Sequence, residues 1–275
     1  MAQPRLEFRK VTRSFPGKGR GRGLVEPLVA VADVSLTVAD GEVVSLIGPS
    51  GCGKSTLLTM AAGLDRPTKG EVFVDGESVE GPNRHVAFML QKDLLLPWRT
   101  ILENVELGLE IRGEPRQSRR AKAKEQLARC HLDKFYNHYP HQLSGGMRQR
   151  AALARTLAVD PDVILLDEPF SAVDAQTKMI LQSDFGATFA ATRKTALFIT
   201  HDLAEAVALS DRVLVMSHRP GTIIRELTID IPDRANPFAR RQDPRMGRYV
   251  GELVELLHIN ERGDQAPNHG GNAHD

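Results

Sequence analysis

The sequence predicts an α/β protein built on a parallel sheet, with an antiparallel sheet beside it and a helical block inserted into it. Three observations predict this. The runs at 43–47, 163–166, 195–199 and 212–216 are nearly all apolar, as strands covered on both faces are, and helical stretches separate them. The N-terminal runs at 6–11 and 28–38 instead alternate apolar with polar residues, the pattern of strands with one wet face. From 100 to 139 the pattern is helical, and this segment splits the strands on either side of it. A chain of 275 residues, 41% of them hydrophobic, suffices for one large α/β domain, or a domain with a subdomain.

The elements can be taken in order. Leu6 to Val11 reads as a strand, with Phe15 at its end, and Pro16 to Gly23 as a basic, glycine-rich excursion between strands. Leu28 to Val38 is the second strand, and Ala39-Asp40-Gly41 turns the chain into the first buried run, Val43-Val44-Ser45-Leu46-Ile47. Gly70 to Gly76 is a short strand closed by Asp75-Gly76, and His85 to Leu90 is an apolar strand ending at Gln91. Leu94-Leu95-Leu96-Pro97-Trp98 follows and reads equally as a docking surface or as a loop packed on the core. Arg116 to Lys124 is rich in arginine and lysine and reads as the solvated face of a helix. Residues beyond Ile259 are polar, which predicts a disordered tail, and His269 and His274 within it are too isolated for a metal site. The expected divisions are a main domain at 5–235, a helical subdomain at about 92–150 inserted in it, and a C-terminal extension at 236–275.

The first buried strand leads into Gly48-Pro49-Ser50-Gly51-Cys52-Gly53-Lys54-Ser55-Thr56 and then the apolar start of a helix. Strand, glycine loop and helix are the context that a phosphate-binding loop requires. Glycines turn the loop so that backbone N–H groups point inward and form an anion nest, and the helix N-terminus adds partial positive charge. Lys54 can reach the β- and γ-phosphates, and the Ser55 hydroxyl can ligate Mg²⁺. The thiol of Cys52, between two of the glycines, is expected to be reachable when the site is empty and shielded by bound nucleotide.

Composition narrows the function. A formal net charge of +1 gives no bulk basic surface for nucleic acid. Two cysteines, Cys52 and Cys130, make neither a disulfide framework nor a metal site, and suit a reducing cytoplasm. No secretory signal and no run long enough to span a membrane is read, so a membrane role needs a separate membrane partner.

Four further stretches carry chemistry. Gln91 sits at a strand end. Leu143-Ser144-Gly145-Gly146-Met147 precedes an alanine-rich helix. Asp167-Glu168 ends a buried strand and is followed by Ser171-Ala172-Val173-Asp174. His201-Asp202 ends the next strand. A lone buried carboxylate is costly, and Mg²⁺ held by Asp167 with Ser55 and Gln91 would offset that cost. Glu168, one residue on, is placed to polarise an attacking water, and His201 to hold that water or bond the γ-phosphate. Ser144 is a good N-cap and leaves the N–H groups of Gly145 and Gly146 open, a second anion site without a lysine.

Together these stretches resemble the ATP-binding cassette (ABC) ATPase family over about residues 5–230. The fold this implies is a P-loop NTPase (RecA-like) α/β core with an antiparallel β subdomain and an inserted α-helical subdomain. The resemblance implies that Ser144, Gly145 and Gly146 of one subunit close over ATP held by the other. Two composite sites then form in a homodimer, with Asp174 in the loop linking them. It also implies that Phe15 stacks on adenine. The family's signature usually ends in glutamine, where this chain has Met147; the serine and both glycines are intact.

One cassette without membrane spans is similar to the ATPase subunit of an importer, docked on integral permease subunits at the cytoplasmic side of the plasma membrane. Leu95-Leu96-Pro97-Trp98, Ser144-Gly145-Gly146-Met147-Arg148-Gln149-Arg150, His218-Arg219-Pro220-Gly221 and Ile229-Asp230-Ile231-Pro232 look like the nitrate/sulfonate/taurine import group. There the solute is chosen by the permease and a solute-binding protein. Two rivals remain at this stage: a P-loop small-molecule kinase, which would not need Ser144-Gly145-Gly146, and a non-transport ABC ATPase acting on nucleic acid or ribosomes.

Overall fold

The computed structural model describes residues 4–17 and 26–263, the last six as backbone only. Most of the basic loop at 16–23 and the tail from 264, with His269 and His274, lie outside the described residues.

The apolar runs form a six-stranded sheet in the order β10-β9-β3-β8-β7-β6. Its strands are β3 (Val43–Ile47), β6 (Val86–Met89), β7 (Val163–Asp167), β8 (Thr195–Ile199), β9 (Arg212–Met216) and β10 (Ile223–Thr228). The first five run parallel, and β10 closes the edge antiparallel to β9. Alternate residues of one strand enter opposite cores, because side chains in a strand alternate sides. Val43, Ile164, Leu166, Ala196 and Phe198 pack on one face, and Val44, Leu46, Val163, Leu165, Leu197 and Ile199 on the other. This accounts for the unbroken apolar runs.

The second core is shared with an antiparallel sheet of order β2-β1-β4-β5, whose strands are β1 (Leu6–Phe15), β2 (Leu28–Val38), β4 (Lys69–Val74) and β5 (Glu77–Ser78). Helix α1 (Lys54–Ala61) lies between the two sheets, burying Leu57, Leu58 and Met60.

The helical block holds α2 (Ile101–Ile111), α3 (Arg116–Arg129) and α4 (Gly145–Ala158). A capping box fixes the start of α2: Thr100 accepts the Glu103 N–H, and Glu103 accepts that of Thr100. The helical pattern stops at Arg129, short of the expected 139, and the chain then runs through irregular turns to a 3₁₀ turn at Pro140–Gln142. The expected boundary near 150 falls inside α4, which buries Ala151, Ala152 and Ala154 and packs against α2, α3 and the strand β6. Of the 94–98 segment, Leu95 is buried and Pro97 is exposed, while Leu94 and Trp98 are 53% and 72% exposed, so it packs at Leu95 and presents two large apolar side chains.

Helices α5 (Ala175–Thr192) and α6 (Leu203–Leu209) follow β7 and β8. Beyond β10 come α7 (Pro237–Gln242) and α8 (Arg245–Gly263). The polar stretch expected to begin at 260 is helical as far as Gly263. Tyr249 and Leu253 of α8 pack with α6 and β9 in a third apolar cluster. No described helix is long and apolar enough to cross a membrane.

Candidate functional site

Ligands of open α/β sheets bind beyond the carboxyl ends of the strands. The five parallel strands put their carboxyl ends on one edge. The loop 48–53 follows β3 there, Gln91 follows β6, Glu168 follows β7, His201 follows β8, and 217–222 follows β9. A cleft of about 380 Å³ opens among them, lined by Phe15, Ser50, Gly51, Gly53, Lys54, Ser55, Thr56, Gln91, Glu168 and His201. Leu28, Ala30 and Arg219 complete the lining and were not singled out from the sequence as site residues. A larger groove, about 1060 Å³, runs along β1, β2 and β4 and holds none of these groups.

The phosphate loop is tightly held. Gly53 caps α1 at φ 105°, and a Cβ there would lie 2.4 Å from the Val31 side chain, so only glycine fits. Lys54 is buried and donates to the carbonyls of Gly48 (2.7 Å) and Pro49 (2.8 Å). These bonds aim its ammonium across the mouth of the loop. Cys52 corrects the expectation of a reachable thiol. It is 1% exposed and packs in the apolar core between α1 and the antiparallel sheet. Its sulfur lies beneath the loop, 3.7 Å from the Lys54 ammonium, covered rather than open to the cleft.

Asp167 ends β7 with only 6% exposure. Burial pushes its carboxyl above the ordinary 3.8, and the neighbouring Glu168 adds to this, while the Ser55 hydroxyl and Lys54 oppose it. Glu168 takes a left-handed backbone, φ 51°, which turns its side chain off the strand line. Its Oε1 lies 2.5 Å from His201 Nε2, and its Oε2 accepts from Gln91 Nε2 at 3.1 Å. Side chains from three strand ends thus meet at one carboxylate. His201 is steadied from behind: Asp202 caps α6 by accepting the Glu205 N–H, and Lys178 of α5 pairs with both Asp202 (2.9 Å) and the buried Glu205 (2.8 Å).

Phe15 is half-buried at the rim, with the Arg13 guanidinium 4.6 Å over its ring. Ser144, Gly145, Gly146 and Asp174 do not line this cleft. Ser144 caps α4 by accepting the Met147 N–H, and Asp174 caps α5 by accepting that of Thr177. That bond holds the Asp174 carboxyl below its ordinary value.

A glycine loop closing over a helix N-terminus, with carboxylates on the next buried strand, defines a P-loop nucleotide-hydrolysing cassette. The chain belongs to the ABC transporter family, whose model matches residues 31–171. It is 48% identical over 227 residues to an uncharacterized ABC transporter ATP-binding protein of Methanocaldococcus jannaschii, covering 82% of this chain and 83% of that one. It is 43% identical over 257 residues to the nitrate import ATP-binding protein NrtD of Synechocystis sp. (92% and 94%), and 42% over 234 residues to the taurine import ATP-binding protein TauB of Burkholderia pseudomallei (84% and 90%). Among solved structures it matches the dimeric post-hydrolysis state of the ATP-binding cassette MJ0796 bound to ADP and Pi. There the TM-score is 0.74 at 34% identity, covering 82% of this chain and 99% of that one. The protein is an ATP-hydrolysing ABC ATPase subunit of a transporter.

Proposed function

We propose that the chain powers an importer, working as a homodimer beneath separate permease subunits at the cytoplasmic face of the plasma membrane. A solute-binding protein delivers a small anionic solute of the nitrate, sulfonate or taurine type to the permease. The observation that carries this reading is the incomplete cleft. Lys54, Ser55, Gln91, Glu168 and His201 share it with Asp167 just behind Ser55, while the capped start of α4 stays outside. A second copy would supply Ser144, Gly145 and Gly146 across the dimer, with Asp174 near the junction. The likeness to NrtD and TauB supports the import reading and the solute class.

The donor set suits Mg²⁺. Asp167 is a buried carboxylate whose charge is costly without a cation, and Ser55 and the Gln91 carboxamide oxygen add hard oxygen donors. When bound, the ion would neutralise charge on the phosphates. Phase by phase, this chain's own groups do the rest. Phe15 stacks on the adenine with the face that Arg13 leaves open. The nest at 48–53 and Lys54 hold the phosphates. Glu168 accepts a hydrogen bond from the attacking water and orients it, and His201 holds Glu168 in place and reaches the γ-phosphate. The exposed Leu94 and Trp98 offer an apolar surface to the permease.

Affinity purification of the tagged chain from detergent-solubilised membranes tests this. A permease that co-purifies, with ATPase activity raised by loaded solute-binding protein, is the expected result. Recovery with ribosomes or nucleic acid and no membrane protein would overturn it.

A further inference from the structure

The loop 217–222, between β9 and β10, reaches the phosphate loop from outside. It is tied to itself: the Ser217 N–H donates to the Thr222 carbonyl (3.0 Å) and the Thr222 N–H to Ser217 Oγ (3.0 Å). It is tied to β2 as well, since the Gly221 N–H donates to Ala30 O (2.9 Å) and Gly221 O accepts from the Ala32 N–H (3.0 Å). Gly221 lies so close to the phosphate loop that a Cβ on it would sit 1.9 Å from the Cys52 carbonyl oxygen. From this braced position Arg219 donates through both Nε (3.1 Å) and Nη2 (2.8 Å) to the Gly51 carbonyl.

That carbonyl is where a phosphate loop needs help. The nest points N–H groups inward at the anion, and Lys54 takes the carbonyls of Gly48 and Pro49, which leaves the Gly51 carbonyl at the loop tip to be bonded from outside the loop. Gly51 is exposed, with φ 77°, at the loop tip. A guanidinium offers fixed paired donors, and charge-assisted bonds are the strong ones. Arg219 also lines the nucleotide cleft and brings positive charge to the back of the nest.

We propose that Arg219 is a positioning residue for nucleotide binding: by clamping the Gly51 carbonyl to the braced loop 217–222, it holds the phosphate loop in its binding shape before nucleotide arrives. Preorganisation of this kind lowers the ordering cost of binding. The inference rests on the cleft being the nucleotide site. Because it acts through the loop, it affects every nucleotide that uses the nest, with or without a γ-phosphate.

The test measures binding of mant-ATP and mant-ADP, steady-state ATPase and thermal melting for full-length Arg219→Ala, Arg219→Lys and Lys54→Ala. Arg219→Ala is expected to weaken ATP and ADP alike by about tenfold, the equivalent of ~1.4 kcal/mol. The loss should fall on KM, with kcat changed less than about twofold and Tm within about 2 °C of the parent. Arg219→Lys keeps the charge but cannot place paired planar donors on one carbonyl, and should fall between. Unchanged affinity in Arg219→Ala overturns the proposal, as does weaker ATP binding with ADP unaffected, or a loss of kcat at unchanged KM. Lys54→Ala separates the two ideas: if it abolishes binding while Arg219→Ala does not weaken it, the nucleotide site stands and the clamp falls. If Lys54→Ala binds normally, the cleft itself has been misread.

Discussion

The two helix starts read from the sequence as anion sites contrast sharply. At the start of α1, Lys54, Ser55, Asp167, Glu168, Gln91 and His201 converge from four strand ends, and nearly every polar group has a partner inside the chain. At the starts of α4 and α5, Ser144 and Asp174 cap their own helices, and a Cβ placed on Gly145 would meet nothing nearer than the Arg148 side chain at 4.0 Å. The first is a finished half-site, assembled by the fold of one chain. The second lies outside the cleft, at a helix start where Ser144 caps the Met147 N–H, as suits a part that closes on a second copy.

The largest expected effect lies on the finished side. Glu168→Gln should lower ATP turnover by about 10²–10⁴-fold, the range for losing a positioned proton acceptor, while ATP binding persists. Near-normal turnover would remove Glu168 from the reaction. Next is Gly145→Asp on the open side. The variant should bind ATP through its own phosphate loop, yet lose most turnover, because a carboxylate a few ångströms from a triphosphate costs several kcal/mol at an effective dielectric of about 20. Normal hydrolysis by its homodimer would break the contrast drawn above.

The two sides should also differ in how an aspartate affects stability. The carboxyl of Asp167 is raised by burial, so its charge penalises the folded state above the raised value, and the penalty vanishes on acidification below the ordinary 3.8. Asp167→Asn should therefore raise the nucleotide-free Tm by about 1–4 °C at neutral pH while abolishing hydrolysis, with the gain fading in acid. Asp174 has the opposite sign. The Thr177 N–H depresses its carboxyl, so its contribution is present above the ordinary value and lost as pH falls through the lowered one. Asp174→Ala should lower Tm slightly at neutral pH and less in acid. Melting curves across pH check both signs. The smallest effect is Met147→Gln, within about a few-fold of parental turnover, because hydroxyl and backbone donors make the contact and position 147 adds little.

How much of this was legible in the sequence follows the same division. The buried strands and the phosphate loop were readable because periodicity and glycine placement are local signals. The Asp167-Glu168 and His201 strand ends were readable because they recur at the ends of such runs. What the sequence hid depends on register between distant segments. Arg219 reaches a carbonyl 168 residues away, and nothing in its neighbourhood announces that. The Cys52 thiol was expected at the cleft because it stands between glycines, but the turn that aims the loop's N–H groups inward sends that side chain into the core. Helix α8 passed unread because its apolar residues cover α6 and β9 while its many charges mask the stripe. Composition does not mark where α4 ends, because this alanine-rich helix runs from Gly145 to Ala158 without a break.

Mixing two inactive variants tests the central claim that the open side of one chain completes the finished side of another. A Gly145→Asp chain paired with a Lys54→Ala chain puts both lesions in one composite site and leaves the other intact, whereas each pure homodimer has no intact site. Random pairing makes about half of the dimers mixed, so about a quarter of all sites should be whole. The account predicts that ATPase activity absent from each pure variant reappears in the mixture at about that fraction of the parental rate. A mixture that hydrolyses no more ATP than the pure variants would contradict it.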